Sequence, residues 1–300
     1  MKAVQLHGYG DIDRFRLAEI DIPSPGAGEA LVKIEAAGLN PVDEHIRLGW
    51  MAQYVPLAFP AVIGVDAAGT VAAVGDGVSG FAVGDRVIAH VPLNGKGAFA
   101  ERAVVPVAGL ARLPANVAFT TGATLPLAGL TGRQAVDALE VGPGDRVLVA
   151  GALGAVGRVA VQYLKEQGAV PVAGVRAERL EEGRQLTGEA IDVTVPAVEP
   201  VFDYAVSAAA PVAANIVTFV RNGGAVASTV MTPEEANPGG RVNVVQVVGH
   251  DDPIVLHRIA EVAGSGALAI PIAGTFRLDE LALAQQALAA GPGGKIVVLP

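Results

Sequence analysis

Residues 145–157 read Asp-Arg-Val-Leu-Val-Ala-Gly-Ala-Leu-Gly-Ala-Val-Gly, a short apolar run that leads into three regularly spaced glycines. The run Val147–Val149 is typical of a parallel strand that is buried on both faces. After the glycines, apolar residues at 156, 159, 160, 163 and 164 recur with the spacing of one helix face. Residues 170–175 then form a second apolar segment. The stretch therefore predicts a strand, a glycine-rich turn, a helix and a second strand.

Each glycine of the turn has its own physical purpose. Gly151 permits a tight turn off the strand, Gly154 lets the backbone approach a diphosphate, and Gly157 lets the helix pack closely on the sheet. Free N–H groups and the dipole at the helix start favour an anion there. Glycine makes up 38 of 300 residues, so the G-x-x-G-x-x-G spacing alone is a weak signal. The flanking strands and helix supply the required context, and the stretch predicts dinucleotide binding.

The end of the second strand bears on which dinucleotide is bound. An NAD site usually carries an acidic residue about 20 positions after the glycines, whereas an arginine there accommodates a 2′-phosphate. Here the strand runs into Arg176, Arg179 follows one turn later, and the first acidic residue is Glu178. The sequence therefore favours NADPH, and solvated arginines at a helix start are the alternative.

The composition is that of a compact globular protein, with 51% hydrophobic and 17% charged residues. The chain has no cysteine, which excludes disulfides, thiolate nucleophiles and cysteine-bound zinc. A net charge of −9 argues against nucleic acid as the main partner. Apolar runs are all shorter than the roughly 18 residues of a membrane span. Since no signal-peptide pattern is visible either, we expect a cytoplasmic protein with no membrane contact.

The pattern of the chain changes twice. The segment up to about residue 115 is β-rich, in short pieces at the spacing of a small barrel. Strands and helices then alternate to about residue 265, which indicates a doubly wound parallel sheet. The remainder returns to the first style. We predict an α/β protein with a Rossmann nucleotide-binding domain, residues 119–265, inserted into a β-rich domain of residues 1–118 and 266–300.

The order of motifs resembles the medium-chain dehydrogenase/reductases, and within them the zinc-independent quinone oxidoreductase branch that includes zeta-crystallin. The matching segments cover nearly the whole chain. They are Ala-Ala-Gly-Leu-Asn-Pro-Val-Asp at 36–43, Pro-Ala-Val-Ile-Gly-Val-Asp-Ala-Ala-Gly at 60–69, Gly-Lys-Ile-Val at 294–297, and residues 83–87, 97–101, 125–131 and 151–157. The resemblance implies that the β-rich part is a GroES-like barrel domain and that the protein is an oxidoreductase.

Departures from the wider superfamily decide the expected chemistry. Zinc-dependent members have cysteine where this chain has Asn40, and Gly-His-Glu where it has Gly64-Val65-Asp66. The four-cysteine lobe that holds structural zinc is also absent. Without a zinc ion to polarise an alcohol or carbonyl, the expected reaction is hydride transfer from NADPH to an acceptor activated by conjugation, such as a quinone or an α,β-unsaturated ketone.

The resemblance also implies a set of cofactor contacts. It places Asn40 beside the nicotinamide, Gly154, Ala155 and Val156 along the diphosphate, and Arg176 by the 2′-phosphate. Further contacts are implied for Thr131, for Ser207 at the ribose, and for Val248 and Gly249 near the nicotinamide. The structural alternatives are that Asn40 and Asp43 cap the short helix that follows, and that Ser207 is a turn residue.

A proton donor is harder to assign. Tyr54 lies in a loop expected to border the cleft and is a candidate donor or stacking partner, although a packing role is favoured. Asp66 and His90 are expected to be structural, and solvent is the simplest source of the proton.

Two other functions stay open, namely a dedicated biosynthetic enoyl or ketone reductase and a non-catalytic NADPH-binding sensor. The resemblance further implies a homodimer joined through edge strands. The valine-rich segment 242–248 is the candidate edge, since such a strand would be hazardous if exposed.

Overall fold

The computed structural model describes residues 1–291 and 293–300. Contacts divide the chain into two compact units, residues 1–127 with 251–300, and residues 128–250. The predicted boundaries lay at 118/119 and 265/266. The helix over residues 253–264 is thus part of the first unit, because its C-terminal end packs there: Asn116 Nδ2 donates to the Gly264 carbonyl at 2.8 Å.

The strands, in chain order, are β1 (Lys2–Leu6), β2 (Phe15–Glu19), β3 (Glu29–Leu39), β4 (Ala61–Val62), β5 (Asp66–Val74), β6 (Arg86–His90), β7 (Arg102–Pro106), β8 (Leu110–Arg112), β9 (Arg146–Ala150), β10 (Val170–Val175), β11 (Ala190–Asp192), β12 (Phe202–Ser207), β13 (Val220–Ser228), β14 (Asn243–Gln246), β15 (Ile272–Arg277) and β16 (Lys295–Leu299). The helices are α1 (Pro41–Arg47), α2 (Phe119–Gly122), α3 (Pro126–Asp137), α4 (Ala155–Glu166), α5 (Leu180–Thr187), α6 (Ala213–Phe219), α7 (Pro253–Gly264) and α8 (Leu281–Ala289).

The first unit is built on two sheets. One has the order β2-β1-β4, and the other has the order β15-β16-β3-β5-β6-β8, with β7 pairing β3. Strand β3 is antiparallel to β5, β7 and β16, so it organises the larger sheet. The core between these elements contains Leu6, Leu39, Phe99 and Leu110, all of them fully buried. This is the β-rich domain that the sequence predicted.

The second unit is a single parallel sheet in the order β11-β10-β9-β12-β13-β14. Counted within the unit, this is the order 3-2-1-4-5-6 of the doubly wound dinucleotide-binding fold. Its first strand, β9, lies at the centre, and Val147, Leu148 and Val149 are completely buried. The predicted Rossmann fold is confirmed. Ligands of such sheets bind beyond the carboxyl ends of the strands where the order reverses, here between β9 and β12.

Some predicted elements differ in detail. The apolar residues of segment 61–74 predict a single strand. The structure divides this segment into β4 and β5, because Gly64 has a left-handed φ of 108° and the Phe99 ring packs 3.1 Å from where a Cβ of Gly64 would lie. Strands β7 and β8 were not predicted individually. The sequence pattern predicts a helix over 177–186, and the structure begins there with a 3-10 turn, Ala177–Arg179, before α5. The pattern also predicts strands over 225–230 and 242–248. The first of these strands starts earlier, at Val220, and the second is shorter.

Candidate functional site

The glycine turn has the geometry that its spacing predicts. Gly151 has a left-handed φ of 77°, and a Cβ there would lie 3.0 Å from the Ala208 carbonyl oxygen. A Cβ on Gly157 would lie 2.1 Å from the Gly151 oxygen, which leaves no room for any side chain. Gly154 is the N-cap of α4, and its N–H donates to the Gly151 oxygen at 2.8 Å. The turn is therefore folded tightly upon itself and carries the start of α4 directly at the end of β9.

The start of α4 presents backbone donors. The first helical hydrogen bond runs from the Arg158 N–H to the Gly154 oxygen at 2.9 Å. The preceding N–H groups, those of Ala155, Val156 and Gly157, have no acceptor within the helix by virtue of their position. Small residues surround them, so backbone donors and the positive end of the helix dipole are available to an anion. These residues fit the diphosphate of a dinucleotide.

Ser207 lies at the carboxyl end of β12, paired in register with Ala150 of β9. Its side chain is completely buried, and its hydroxyl has no hydrogen-bond partner among the described residues. A buried hydroxyl without a partner is unusual in a native structure and often marks a functional position. Ser207 therefore lies beside the strand residue that precedes the glycine turn, and its contact with a ribose stays a prediction.

Thr131 belongs to α3 and is 8% exposed. Its neighbour Gly132 marks a close approach of two helices: a Cβ there would lie 2.8 Å from the Val156 oxygen and from Val159. Helix α3 thus packs on the first turn of α4, and Thr131 immediately precedes the glycine at this contact. Val248 and Gly249 follow β14, at the other edge of the sheet from β11, and Val248 is 76% exposed.

The two predicted phosphate-binding arginines are both engaged with acids. Arg176 forms an ion pair with Glu178 at 3.2 Å, and its side chain is 60% exposed. Arg179 binds Glu182 with two parallel hydrogen bonds, at 2.8 and 2.7 Å. That bidentate bond is the main reason that the pKa of Arg179 lies above its ordinary value. Both arginines lie just beyond β10, so their place agrees with the prediction, and their role stays a prediction.

A third arginine in this region was missed. Arg158 follows Gly157 directly, in the first turn of α4, and its Nε donates to the Leu153 oxygen at 3.2 Å. Its side chain thus folds back towards the glycine turn. Burial, and next the nearby charge of Arg179, lower the pKa of Arg158. The available clue was its position immediately after the third glycine.

In the first unit, Asn40 belongs to a buried polar cluster of Asn40, Asp43, Asp66 and Lys295, none more than 5% exposed. Asn40 Nδ2 donates to Asp66 Oδ2 at 3.0 Å and to the Gly38 carbonyl at 3.3 Å. Lys295 Nζ donates to Asn40 Oδ1 and, at 2.9 Å, to Asp66 Oδ2. Turning the amide over would set its NH₂ against the ammonium and its oxygen against the carboxylate. The charges therefore fix one orientation of Asn40.

The capping alternative for Asn40 and Asp43 is half realised. Asp43 Oδ2 accepts the backbone N–H of Asn40 at 2.8 Å, whereas the side chain of Asn40 makes no capping bond. The other oxygen, Asp43 Oδ1, is buried without a hydrogen-bond partner among the described residues. Burial, opposed by the bond from the Asn40 N–H and reinforced by the charge of Asp66, raises the pKa of Asp43 to about 7.

The sequence did not single out Lys295 as a site residue. It opens the last strand, β16, which pairs with β3 so that Ile296 lies opposite Leu39. This pairing brings Lys295 next to Asn40, although the two are 255 positions apart in the chain. Asp66 also accepts the N–H of Leu127 through Oδ1 at 2.8 Å. Its position within this network agrees with the structural role expected for it.

Tyr54 and His90 remain outside the cluster. Tyr54 is 73% exposed, in the loop after α1. His90 Nδ1 lies 2.6 Å from Asp251 Oδ1, an ion pair if the imidazole is protonated, and so holds β6 to the segment that precedes α7. Within the described residues, no group of three or more His, Cys, Asp or Glu side chains is arranged to hold a metal ion. Among the helices of residues 1–291 and 293–300, none is long and apolar enough to cross a membrane.

The order of the parallel sheet and the glycine turn together define a dinucleotide-binding fold in the second unit. Residues 26–115 match the family described as alcohol dehydrogenase GroES-like domain. A solved structure titled as an NAD-dependent alcohol dehydrogenase superposes with a TM-score of 0.88 at 27% identity, covering 100% of both chains. The chain is thus similar over its whole length to a medium-chain alcohol dehydrogenase structure and carries a GroES-like domain.

Two relatives illustrate this resemblance. The chloroplastic quinone-oxidoreductase homolog of Spinacia oleracea is 39% identical over 172 residues, 55% of this chain and 52% of that protein. The chloroplastic NADPH-dependent alkenal/one oxidoreductase of Arabidopsis thaliana is 37% identical over 214 residues, 68% of this chain and 55% of that protein. The chain thus spans about half the length of these relatives.

Proposed function

We propose that this protein is a zinc-independent oxidoreductase that reduces quinones, or alkenes conjugated with a carbonyl group, at the expense of NADPH. The observation that carries the proposal is the glycine turn, in which Gly151 has a left-handed φ, Gly157 has no room for a side chain, and the first turn of α4 offers free N–H groups. The names of the spinach and Arabidopsis relatives support the substrate class.

Within this proposal, the bound cofactor supplies the hydride and the protein supplies binding and orientation. The N–H groups at the start of α4 would hold the diphosphate, Thr131 and Ser207 are candidates for further cofactor contacts, and Arg176 and Arg179 are candidates for the 2′-phosphate. The preference for NADPH needs a direct test, because one similar structure is titled NAD-dependent and one relative is named NADPH-dependent.

In such an enzyme, the Asn40 amide could form only one hydrogen bond with a ligand. Both hydrogens of its amide are directed at protein acceptors, Asp66 and Gly38, and one lone pair of Oδ1 is taken by Lys295. What remains is one acceptor site on Oδ1. Asn40 would therefore accept a hydrogen bond from a ligand NH₂, such as that of the nicotinamide carboxamide. It would orient the nicotinamide and not polarise the acceptor.

Zinc independence is proposed from the same cluster. Asn40 and Asp66 stand at positions occupied by a zinc-ligand cysteine and the glutamate of Gly-His-Glu in zinc-dependent members, and here both bind the ammonium of Lys295. We expect turnover to survive dialysis against 1,10-phenanthroline and EDTA unchanged. Loss of turnover that added zinc restores would contradict this part of the proposal.

The main experiment mixes the protein with NADPH and then with 1,4-benzoquinone or a simple enone, following absorbance of the reduced nicotinamide. The expected result is oxidation of NADPH that depends on both protein and acceptor. Binding of NADPH without turnover on a broad acceptor panel would favour the sensor. Turnover confined to a single enoyl or keto substrate would favour the dedicated biosynthetic reductase.

A homodimer is also proposed, through β14. This strand lies at an edge of the parallel sheet, and Val244 and Val245 are only half-buried. Val245→Lys keeps an aliphatic stem and adds a charge, which is how natural edge strands avoid pairing. Sedimentation velocity at micromolar concentration should show a dimer for the wild type and a monomer for the variant, with unchanged circular dichroism. A monomeric wild type would reject the dimer.

A cytoplasmic location stays a prediction, since two of the similar proteins carry chloroplastic in their names. Fractionation of cells that produce the tagged protein, followed by immunoblotting, tests it.

A further inference from the structure

Three of the arginines around the end of β10 form ion pairs with glutamates, whereas a fourth, Arg158, does not. Arg176 pairs with Glu178, Arg179 with Glu182, and Arg184 with Glu181 at 3.5 Å. Arg158 lies close enough to Arg179 and Glu182 to feel both charges. Its two terminal nitrogens, however, make no hydrogen bond or ion pair with residues 1–291 or 293–300, where the Nε bond is the one hydrogen bond of the guanidinium. The region therefore contains one guanidinium whose charge is not matched.

The position of this guanidinium is set by the glycine turn. The bond from Nε to the Leu153 oxygen, at 3.2 Å, holds the side chain back over the start of α4. The guanidinium therefore lies between the first turn of α4 and the arginines that follow β10. Those are the two elements that flank the adenosine end of a dinucleotide in this fold.

We propose that Arg158 is a specificity-determining residue that binds the 2′-phosphate of NADPH. The inference rests on the proposed function and adds to it the residue that makes the cofactor choice. A guanidinium with both terminal nitrogens free can bind a phosphate through two parallel hydrogen bonds. Arg176 and Arg179 must first release their glutamates, whereas Arg158 needs no such exchange. A dianionic phosphate also relieves the repulsion between Arg158 and Arg179.

The test compares the binding of NADPH and NADH to Arg158→Gln, Arg176→Gln and the wild type, by isothermal titration calorimetry without any acceptor. Glutamine removes the charge and keeps an N–H for the Leu153 oxygen. Arg146→Gln is the matched control, an arginine of the same sheet that pairs with Glu189. Arg158→Gln should weaken NADPH by about tenfold or more, the loss expected for a charge-assisted phosphate contact. NADH binding should change by less than about twofold in every variant.

Other outcomes overturn the assignment in distinguishable ways. Equal weakening of NADPH and NADH by Arg158→Gln would mean a contact to the diphosphate shared by both cofactors. Loss of the preference in Arg176→Gln alone would return the assignment to Arg176. Adenosine 2′-monophosphate, which has no diphosphate, should bind the wild type and Arg146→Gln more tightly than Arg158→Gln. If the wild type binds neither dinucleotide, the proposed function itself fails, and not only this refinement of it.

Discussion

Lys295 Nζ lies 2.9 Å from Asp66 Oδ2, and the two side chains are 5% and 0% exposed. Because β16 and β5 both border β3, this ion pair links the last strand of the chain to one formed some 230 positions earlier. The ammonium is simultaneously bound to the Asn40 oxygen. The geometry of the candidate site in the first unit therefore depends on a residue contributed by the C-terminal strand.

Lys295→Met should destabilise the protein by about 3–5 kcal/mol, because it leaves the Asp66 carboxylate buried without a counter-charge. The double variant with Asp66→Asn removes both charges and should be more stable than Lys295→Met alone. Urea unfolding monitored by circular dichroism gives these free energies. The exposed pair Lys33–Glu35, 2.8 Å apart, supplies the control: Lys33→Met should cost less than about 1 kcal/mol. A similarly small loss for Lys295→Met would contradict the buried pair.

Asp43 should make the protein less stable as the pH rises. An unfolded aspartate titrates near 3.8, and burial raises the pKa of Asp43 to about 7 in the folded protein. Between these values the folded state holds more protons, so stability falls with rising pH and levels off above about 7. The contribution is on the order of 4 kcal/mol.

Asp43→Asn, which keeps an oxygen for the Asn40 N–H, should flatten the stability profile between about pH 4 and 8. Thermal melts across that range measure it. Asp13→Asn, at an exposed aspartate, is the control for loss of one carboxylate and should leave the shape unchanged. An unaltered profile in Asp43→Asn would show that another group is responsible.

Asn40→Asp should destabilise the cluster by at least about 1–3 kcal/mol at neutral pH. The new carboxylate oxygen replaces Nδ2, which lies 3.0 Å from Asp66 Oδ2, and so sets two acceptors of like charge against each other. The loss should shrink in acid, where the introduced carboxyl at position 40 is protonated and uncharged. Urea unfolding at pH 5 and pH 8 tests both statements, with Asn94→Asp at an exposed position as the control. A loss that grows on acidification would contradict the hydrogen-bond arrangement described for Asn40.

Gly157→Ala should abolish cofactor binding and destabilise the second unit by several kcal/mol. The added Cβ would lie 2.1 Å from the Gly151 oxygen and 2.7 Å from the Ala152 Cα, both of them backbone atoms that cannot move alone. Gly142→Ala is the matched control, because the nearest atom to its added Cβ is 3.8 Å away. Its stability should stay within about 0.5 kcal/mol of the wild type. Calorimetric titration with NADPH and thermal melts distinguish the two variants.

The fold of the second unit is determined largely by local sequence. Buried strands, the glycine turn and the apolar face of α4 are specified by residues close together in the chain, so their order and spacing predicted the Rossmann fold. The predicted ends of strands and units differ from those in the structure wherever a residue distant in the sequence determines them. Phe99 packing on Gly64 divides a strand that looked continuous, and packing near Gly264 assigns α7 to the first unit.

The sequence by itself determined the fold class, the glycine turn and the arginines after β10, because turns, helix faces and alternating strands depend on near neighbours. The tertiary structure alone decided which buried charges are matched. It brought Lys295 to Asn40 and Asp66 through the pairing of β16 with β3, and it set Arg158 beside Arg179 and Glu182 without an ion-pair partner among the described residues. The pairs Arg176–Glu178 and Arg179–Glu182, by contrast, join near neighbours in the sequence. The physical reason is that burial and ion pairing depend on distances between residues far apart in the chain, which only the packed sheets and helices establish.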